Sequence, residues 1–139
     1  MYLLDTNVLS ETHRRTPNPR VLAWIESVPE HRLHTSVLVI GEIQRGVQHR
    51  ARIDLIAAQR DELWLQEIID SYGFEDRLLP ISLLDVLAWG RITAGNKLPH
   101  IDALLAAQAL VRSWTVVTRN LKDFERTGVQ LLNPFDYEG

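Results

Sequence analysis

The chain contains no cysteine. That excludes a disulfide framework and a thiolate metal site, so any metal must be held by oxygen or imidazole. Long apolar runs are also missing: the longest, Ala103 to Val111, is interrupted by Gln108 and falls well short of the roughly 18 residues of a membrane span. Positive charge is not in excess, since 18 acidic against 15 basic residues give a net charge of -3. This argues against a protein that coats nucleic acid non-specifically, but not against a nuclease whose substrate contacts are local. There is no Gly-rich phosphate loop and no serine in a nucleophile-elbow context. His31 and His34 flank a strand start, while His13, His49 and His100 stand alone. No pair has the i, i+4 helical spacing of a zinc protease, so surface or core roles are expected for them. No basic leader precedes a short apolar stretch, and Met1 leads at once into apolar residues; a cytoplasmic location is expected.

What is present is an ordinary globular composition, 45% hydrophobic and 24% charged over 139 residues. A chain of this size buries roughly two-thirds of its unfolded surface and folds on one core, so residues 1–139 are expected to form a single domain. Tyr2 to Leu4 is a short buried strand that ends abruptly in Asp5-Thr6-Asn7. Asn7 to Arg15 is expected to be a short helix. A second helix is capped by Asn18, starts on Pro19, and has Val21, Leu22, Trp24, Ile25 and Val28 as its apolar face. Leu33 to Thr35 is a strand candidate. Ser36 then caps a helix whose register puts Val39, Ile43 and Val47 on one face and Leu38, Glu42 and Arg45 on another.

Arg52 to Tyr72, with Ile53, Ile56, Ala57, Leu63, Trp64, Ile68 and Ile69, is expected to be a long amphipathic helix stopped by Gly73, completing an αα-hairpin. Leu78 to Ile81 is a strand candidate, and Ser82 caps a helix to about Ala94. Ile101 to Arg112 is a helix apolar nearly all round, hence buried, with Asp102 in its first turn. Trp114 to Val117 is a strand ending in Thr118-Arg119-Asn120. Asp123-Phe124 lies in a short turn or helix, and Val129 to Leu132 is the last edge strand.

Strands separated by helices need crossover connections, which gives an α/β fold with a mostly parallel sheet covered on both faces. Ligands in such sheets bind at the carboxyl ends of the strands, where Asp5 and Thr118-Arg119-Asn120 fall. Asp5, Glu42 and Asp102 are the candidate cluster. Two carboxylates about 5 Å apart repel by roughly 3 kcal/mol at an effective dielectric near 20, so three together raise one another's pKa or recruit a cation. All-oxygen ligation points to Mg²⁺ or Mn²⁺, and hence to phosphodiester chemistry. Thr6 and Thr118 offer hydroxyls to orient water or a carboxylate. Singly, each acid also fits a turn, cap or first-turn role. The arginines at 14, 15, 20, 45, 50 and 52 are expected on solvated helix faces, and any that lines the site would meet substrate phosphate.

Leu3-Leu4-Asp5-Thr6-Asn7, Ser36 with Glu42, Asp102 opening an Ala/Leu-rich helix, Thr118-Arg119-Asn120 with Asp123-Phe124, and the terminal Asn133-Pro134 together resemble the PIN-domain VapC toxins, close to their FitB-like branch. The resemblance implies a three-layer α/β/α fold and an Mg²⁺- or Mn²⁺-dependent endoribonuclease toxin. Its metal would be held by Asp5, Glu42 and Asp102. It also implies a small antitoxin encoded beside the toxin, operator DNA bound through that antitoxin, and a homodimer. Many PIN domains carry an acid two residues after the threonine of the last central strand. Here that position is Asn120, and Asp123 is the candidate fourth carboxylate. Thr6, Asn7, Ser36, Thr118, Arg119 and Asn120 are candidates to position ligands or substrate. Two alternatives remain: a catalytically silent PIN-like partner-binding module, and a phosphatase-like hydrolase with Asp5 as nucleophile.

Overall fold

The computed structural model describes residues 1–139. Short strands and helices alternate as β1 Tyr2–Leu4, α1 Thr6–His13, α2 Pro19–Ser27, β2 Leu33–Ser36, α3 Val37–Ala51 and α4 Leu55–Phe74. They continue as β3 Leu78–Leu79, α5 Leu83–Thr93, α6 His100–Arg112, β4 Thr115–Val117, α7 Leu121–Phe124 and β5 Gln130–Leu132. The strands form one sheet in the order β3-β2-β1-β4-β5, every neighbouring pair parallel. From β1 the chain steps outward to β2 and β3, then crosses to the other side of β1 for β4 and β5. Because crossovers are right-handed in nearly all cases, that reversal puts helices on both faces and opens a crevice between β1 and β4.

The central strands are buried on both sides, as parallel strands under two helical layers must be. Leu3, Leu4, Val116 and Val117 are essentially inaccessible, and Val8, Val39, Leu105 and Phe124 pack into the same core. Leu4 is in register with Val117, and the Asp5 N–H donates to the Val117 carbonyl at 2.9 Å. Asp5 and Thr118 therefore leave the sheet side by side.

Local signals set most helix starts. Asn18 caps α2 by accepting from the Arg20 N–H, Ser36 caps α3 by accepting from Leu38, and Ser82 with Asp85 forms a capping box on α5. Four details depart from expectation. The first helix begins at Thr6, because Asp5 itself is the cap. The long helix begins at Leu55 behind the Asp54 cap and runs through Gly73 to Phe74, one glycine being insufficient to end a helix packed along its length. Ile53 in the turn before it, and Ile56 and Leu63 on it, are exposed like Leu22 on α2. The third strand is only Leu78–Leu79, since Pro80 has no N–H to give the ladder.

Candidate active site

Asp5 is buried at the end of β1, and both of its oxygens are engaged. Oδ1 accepts the Thr6 N–H at 2.8 Å; Oδ2 accepts the Thr118 hydroxyl at 2.8 Å and the Asn7 amide at 3.2 Å. Burial pushes its carboxyl above the usual range, opposed by the bonds from Thr118 and Thr6, and the negative charge of Glu42 adds to the rise. A carboxylate so enclosed is held in place and not free to attack as a nucleophile, which weighs against phosphatase chemistry.

Asn7 ties the two strand ends together. Its amide also donates to the Thr118 hydroxyl at 3.2 Å, and its carbonyl oxygen accepts the Arg119 N–H at 3.0 Å. The Asn120 N–H donates to Thr118 Oγ1 at 3.0 Å. Asp5, Asn7 and Thr118 thus fasten one another across the β1/β4 crevice.

Glu42 arrives from the second turn of α3, beside the buried stripe of Val39, Ile43 and Val47. The Thr6 hydroxyl donates to its Oε1 at 2.6 Å, so the turn that bears Asp5 also aims Glu42. Asp102 stands half-buried in the first turn of α6. Its carboxyl is raised to about 7 by burial and by the charges of Asp5, Glu42 and Asp123, in that order. Four acids from four separate segments therefore share one electrostatic neighbourhood. As the side chains stand, no three of them close on a common point at ligand distance. Asp123 lies in the first turn of α7 and is exposed, at the edge of the group. Arg119 is exposed with its guanidinium 4.6 Å from the Phe135 ring.

Ser36 sits beneath the site rather than in it. Its hydroxyl donates to Gln108 Oε1 at 2.6 Å while capping α3, and the Gln108 amide donates to the Pro80 carbonyl at 3.1 Å. Gln108 thus ties α6 to the start of the helix that carries Glu42. It was visible in the sequence only as the polar break in an apolar helix. The donor set is all oxygen, with mutual repulsion concentrated on Asp102, and that chemistry fits a hard divalent cation.

The sequence profile of the PIN domain matches residues 2–130. The chain belongs to the PIN-domain family. Three relatives match nearly end to end. Plasmid stability protein StbB of Pseudomonas syringae pv. tomato is 33% identical over 98% of this chain and 99% of that protein. VapC ribonuclease Y4jK of Sinorhizobium fredii is 28% identical over 98% and 99%, and toxin FitB of Neisseria gonorrhoeae is 30% identical over 97% and 99%. Among solved structures, FitAcB from Neisseria gonorrhoeae superposes with a TM-score of 0.81 at 29% identity, covering 98% of this chain and 99% of that one. FitAB bound to the IR36 DNA fragment gives 0.75 at 30% identity, covering 100% and 99%. The three-layer α/β/α PIN architecture expected from the sequence is the one observed.

Proposed function

We propose that this PIN-domain protein is the toxin of a type II toxin-antitoxin pair and an endoribonuclease that hydrolyses RNA phosphodiester bonds. The observation that supports the reading is the electrostatic neighbourhood shared by Asp5, Glu42, Asp102 and Asp123, in which burial and the other three charges raise Asp102 to about 7. Relatives named as a VapC ribonuclease and a toxin support it.

Asp5, Glu42 and Asp102 would hold a divalent cation, Mg²⁺ or Mn²⁺, with Asp123 and Asn120 on the rim. Such an ion, when bound, neutralises charge on the phosphate and acidifies water. The chain's own residues do the rest. Thr118, Asn7 and the Thr6 N–H fix both oxygens of Asp5, and the Thr6 hydroxyl holds Glu42. Asp102, raised to about 7, is partly protonated near neutrality and would have to lose that proton to serve as a ligand. In the overall reaction a water oxygen bonds to phosphorus, the bond from phosphorus to one ribose oxygen breaks, and that oxygen takes up a proton.

The protein acts in the cytoplasm, and no helix is long and apolar enough to cross a membrane. It pairs with a small antitoxin encoded beside it, through which the complex binds operator DNA, in keeping with a relative solved as FitAB on DNA. It forms a homodimer. The test is cleavage of a defined RNA panel with Mg²⁺, with Mn²⁺ and with EDTA, alongside Asp5→Asn. Cleavage is expected only with metal and only in the wild type. A folded Asp5→Asn chain that cuts RNA at the wild-type rate in EDTA would abolish the reading, and would leave the silent-module alternative no better supported.

A further inference from the structure

Beyond Glu42 the site opens into a cleft of about 760 Å³ between α1, α3 and α4. Its near end is formed by Thr6 and Glu42, and its outer walls carry Arg14, Arg15, Arg50 and Arg60. The charge is local, because the whole chain carries a net charge of -3. Arg15 and Arg60 form no ion pair, while Arg14 reaches Glu11 only at 3.5 Å.

The back of the cleft is braced. His13 stacks on Trp64 with ring centroids 4.5 Å apart and planes 11° from parallel. Asp61 sits between His13 Nε2 at 3.0 Å and Arg50 Nη1 at 3.1 Å. That acid is therefore occupied holding α4 to α1 and α3, and it anchors the Arg50 guanidinium in place.

We propose that this cleft is the track for the single-stranded RNA flank adjoining the scissile phosphate, with its arginines meeting consecutive phosphates. The proposal rests on the ribonuclease reading and names the substrate path that serves the same acids. Guanidinium forks match phosphate oxygens two bonds at a time. The lining carries the charge a phosphate chain requires, four arginines against the two acids Glu42 and Asp61. The position of the cleft also matters, since a strand lying in it leads directly to Glu42.

The test uses the full chain carrying Asp5→Asn, which binds without cutting, and a fluorescent 20-nucleotide mixed-sequence single-stranded RNA followed by anisotropy over a salt series. For single strands the slope of log K against log salt is about -0.7 per phosphate neutralised. Adding Arg15→Gln and Arg60→Gln is expected to weaken binding and to flatten the slope by about 1.4, two contacts at about 0.7 each. Arg20→Gln with Arg126→Gln, exposed and outside the cleft, is the matched control and should leave the slope unchanged. Equal slopes in the cleft and control variants overturn the track, and that is also the result expected if the cleft receives a partner protein instead. Since this readout needs no cleavage, the two readings fail separately. A wild type that cuts RNA while the cleft variants bind it normally removes the track alone. A wild type that cuts nothing, with a flattened slope in the cleft variants, removes the nuclease and leaves the RNA path.

Discussion

Asp102 is the residue through which the whole acidic group can be measured. An isolated aspartate titrates near 3.8, and burial together with Asp5, Glu42 and Asp123 moves this one to about 7. Between those values the unfolded chain has lost the proton and the folded chain keeps it, so the folded state binds more protons and stability falls as pH rises. The favourable contribution is complete below about 3.8 and is gone above about 7. Asp5, raised mainly by burial, acts with the same sign. Metal-free protein should therefore show a urea midpoint that declines from pH 5 to pH 8. Asp102→Asn should flatten that decline without removing it, and added Mn²⁺ should restore stability at pH 8 but much less at pH 5. An unchanged slope in Asp102→Asn would show that the acids do not share a field. The acids themselves could be read from the sequence because each is a polar residue where the pattern calls for apolar ones or for a strand end. Their fastening could not. The bonds of Thr6 to Glu42 and of Asn7 to Thr118 span 36 and 111 residues, and only the parallel pairing of β1 with β2 in the first case and with β4 in the second brings such partners together.

At the scale of elements, the site depends on α6 being locked in place, and the lock is partly polar. Asp85, inaccessible on α5, accepts from Arg112 Nη1 at 2.7 Å, and the same nitrogen donates to the Gln108 carbonyl at 2.8 Å. Burial alone would raise the Asp85 carboxyl, but the bonds from Arg112 and Ser82 outweigh it and hold it below the usual range. Arg112→Met leaves that carboxylate buried with only Ser82, whose N–H donates to Oδ2 at 2.9 Å, to answer it. Breaking a buried pair from one side costs about 3–5 kcal/mol, and because Ser82 still donates, the lower end of that range is expected in urea unfolding. Asp85→Asn in the Arg112→Met background should recover part of the loss, since it removes the stranded charge. A single variant losing under about 1 kcal/mol would mean the pair is solvated rather than structural. The helices themselves were read well where a cap and an apolar stripe agree, as in α2 and α3. They are less legible in α4, where Ile56 and Leu63, apolar residues of an expected amphipathic helix, stand exposed. A sequence records that a side chain is apolar, but not whether another element covers it.

That uncovered surface is a property of the whole molecule. The large aromatics that might have formed a dimer contact are mostly spent inside, Trp24 buried and Trp64 and Trp89 half-buried. The exposed apolar side chains are aliphatic instead. On α5, Leu83, Leu84, Val86 and Leu87 are 74%, 60%, 43% and 48% exposed, while Asp85 and Ala88 on the same helix are buried. A contiguous apolar face of this kind is uncommon on a monomer, and a single helix can pair with its own copy about a two-fold axis so that each side supplies the same residues. The homodimer proposed for this protein is expected to form through this α5 face. Leu84→Glu with Leu87→Glu places four like charges across such an interface, two from each copy, and touches neither the acids at the β1/β4 crevice nor the arginine cleft. Light scattering after gel filtration should give twice the chain mass for the wild type and the chain mass for the variant, with unchanged far-UV circular dichroism. The Ser82–Asp85 capping box and the Asp85–Arg112 pair keep α5 seated, so loss of the dimer need not mean loss of the fold. A folded variant that still runs at twice the chain mass would reject the α5 interface and move attention to Leu55, Ile56 and Leu63 on α4, the other exposed aliphatic set.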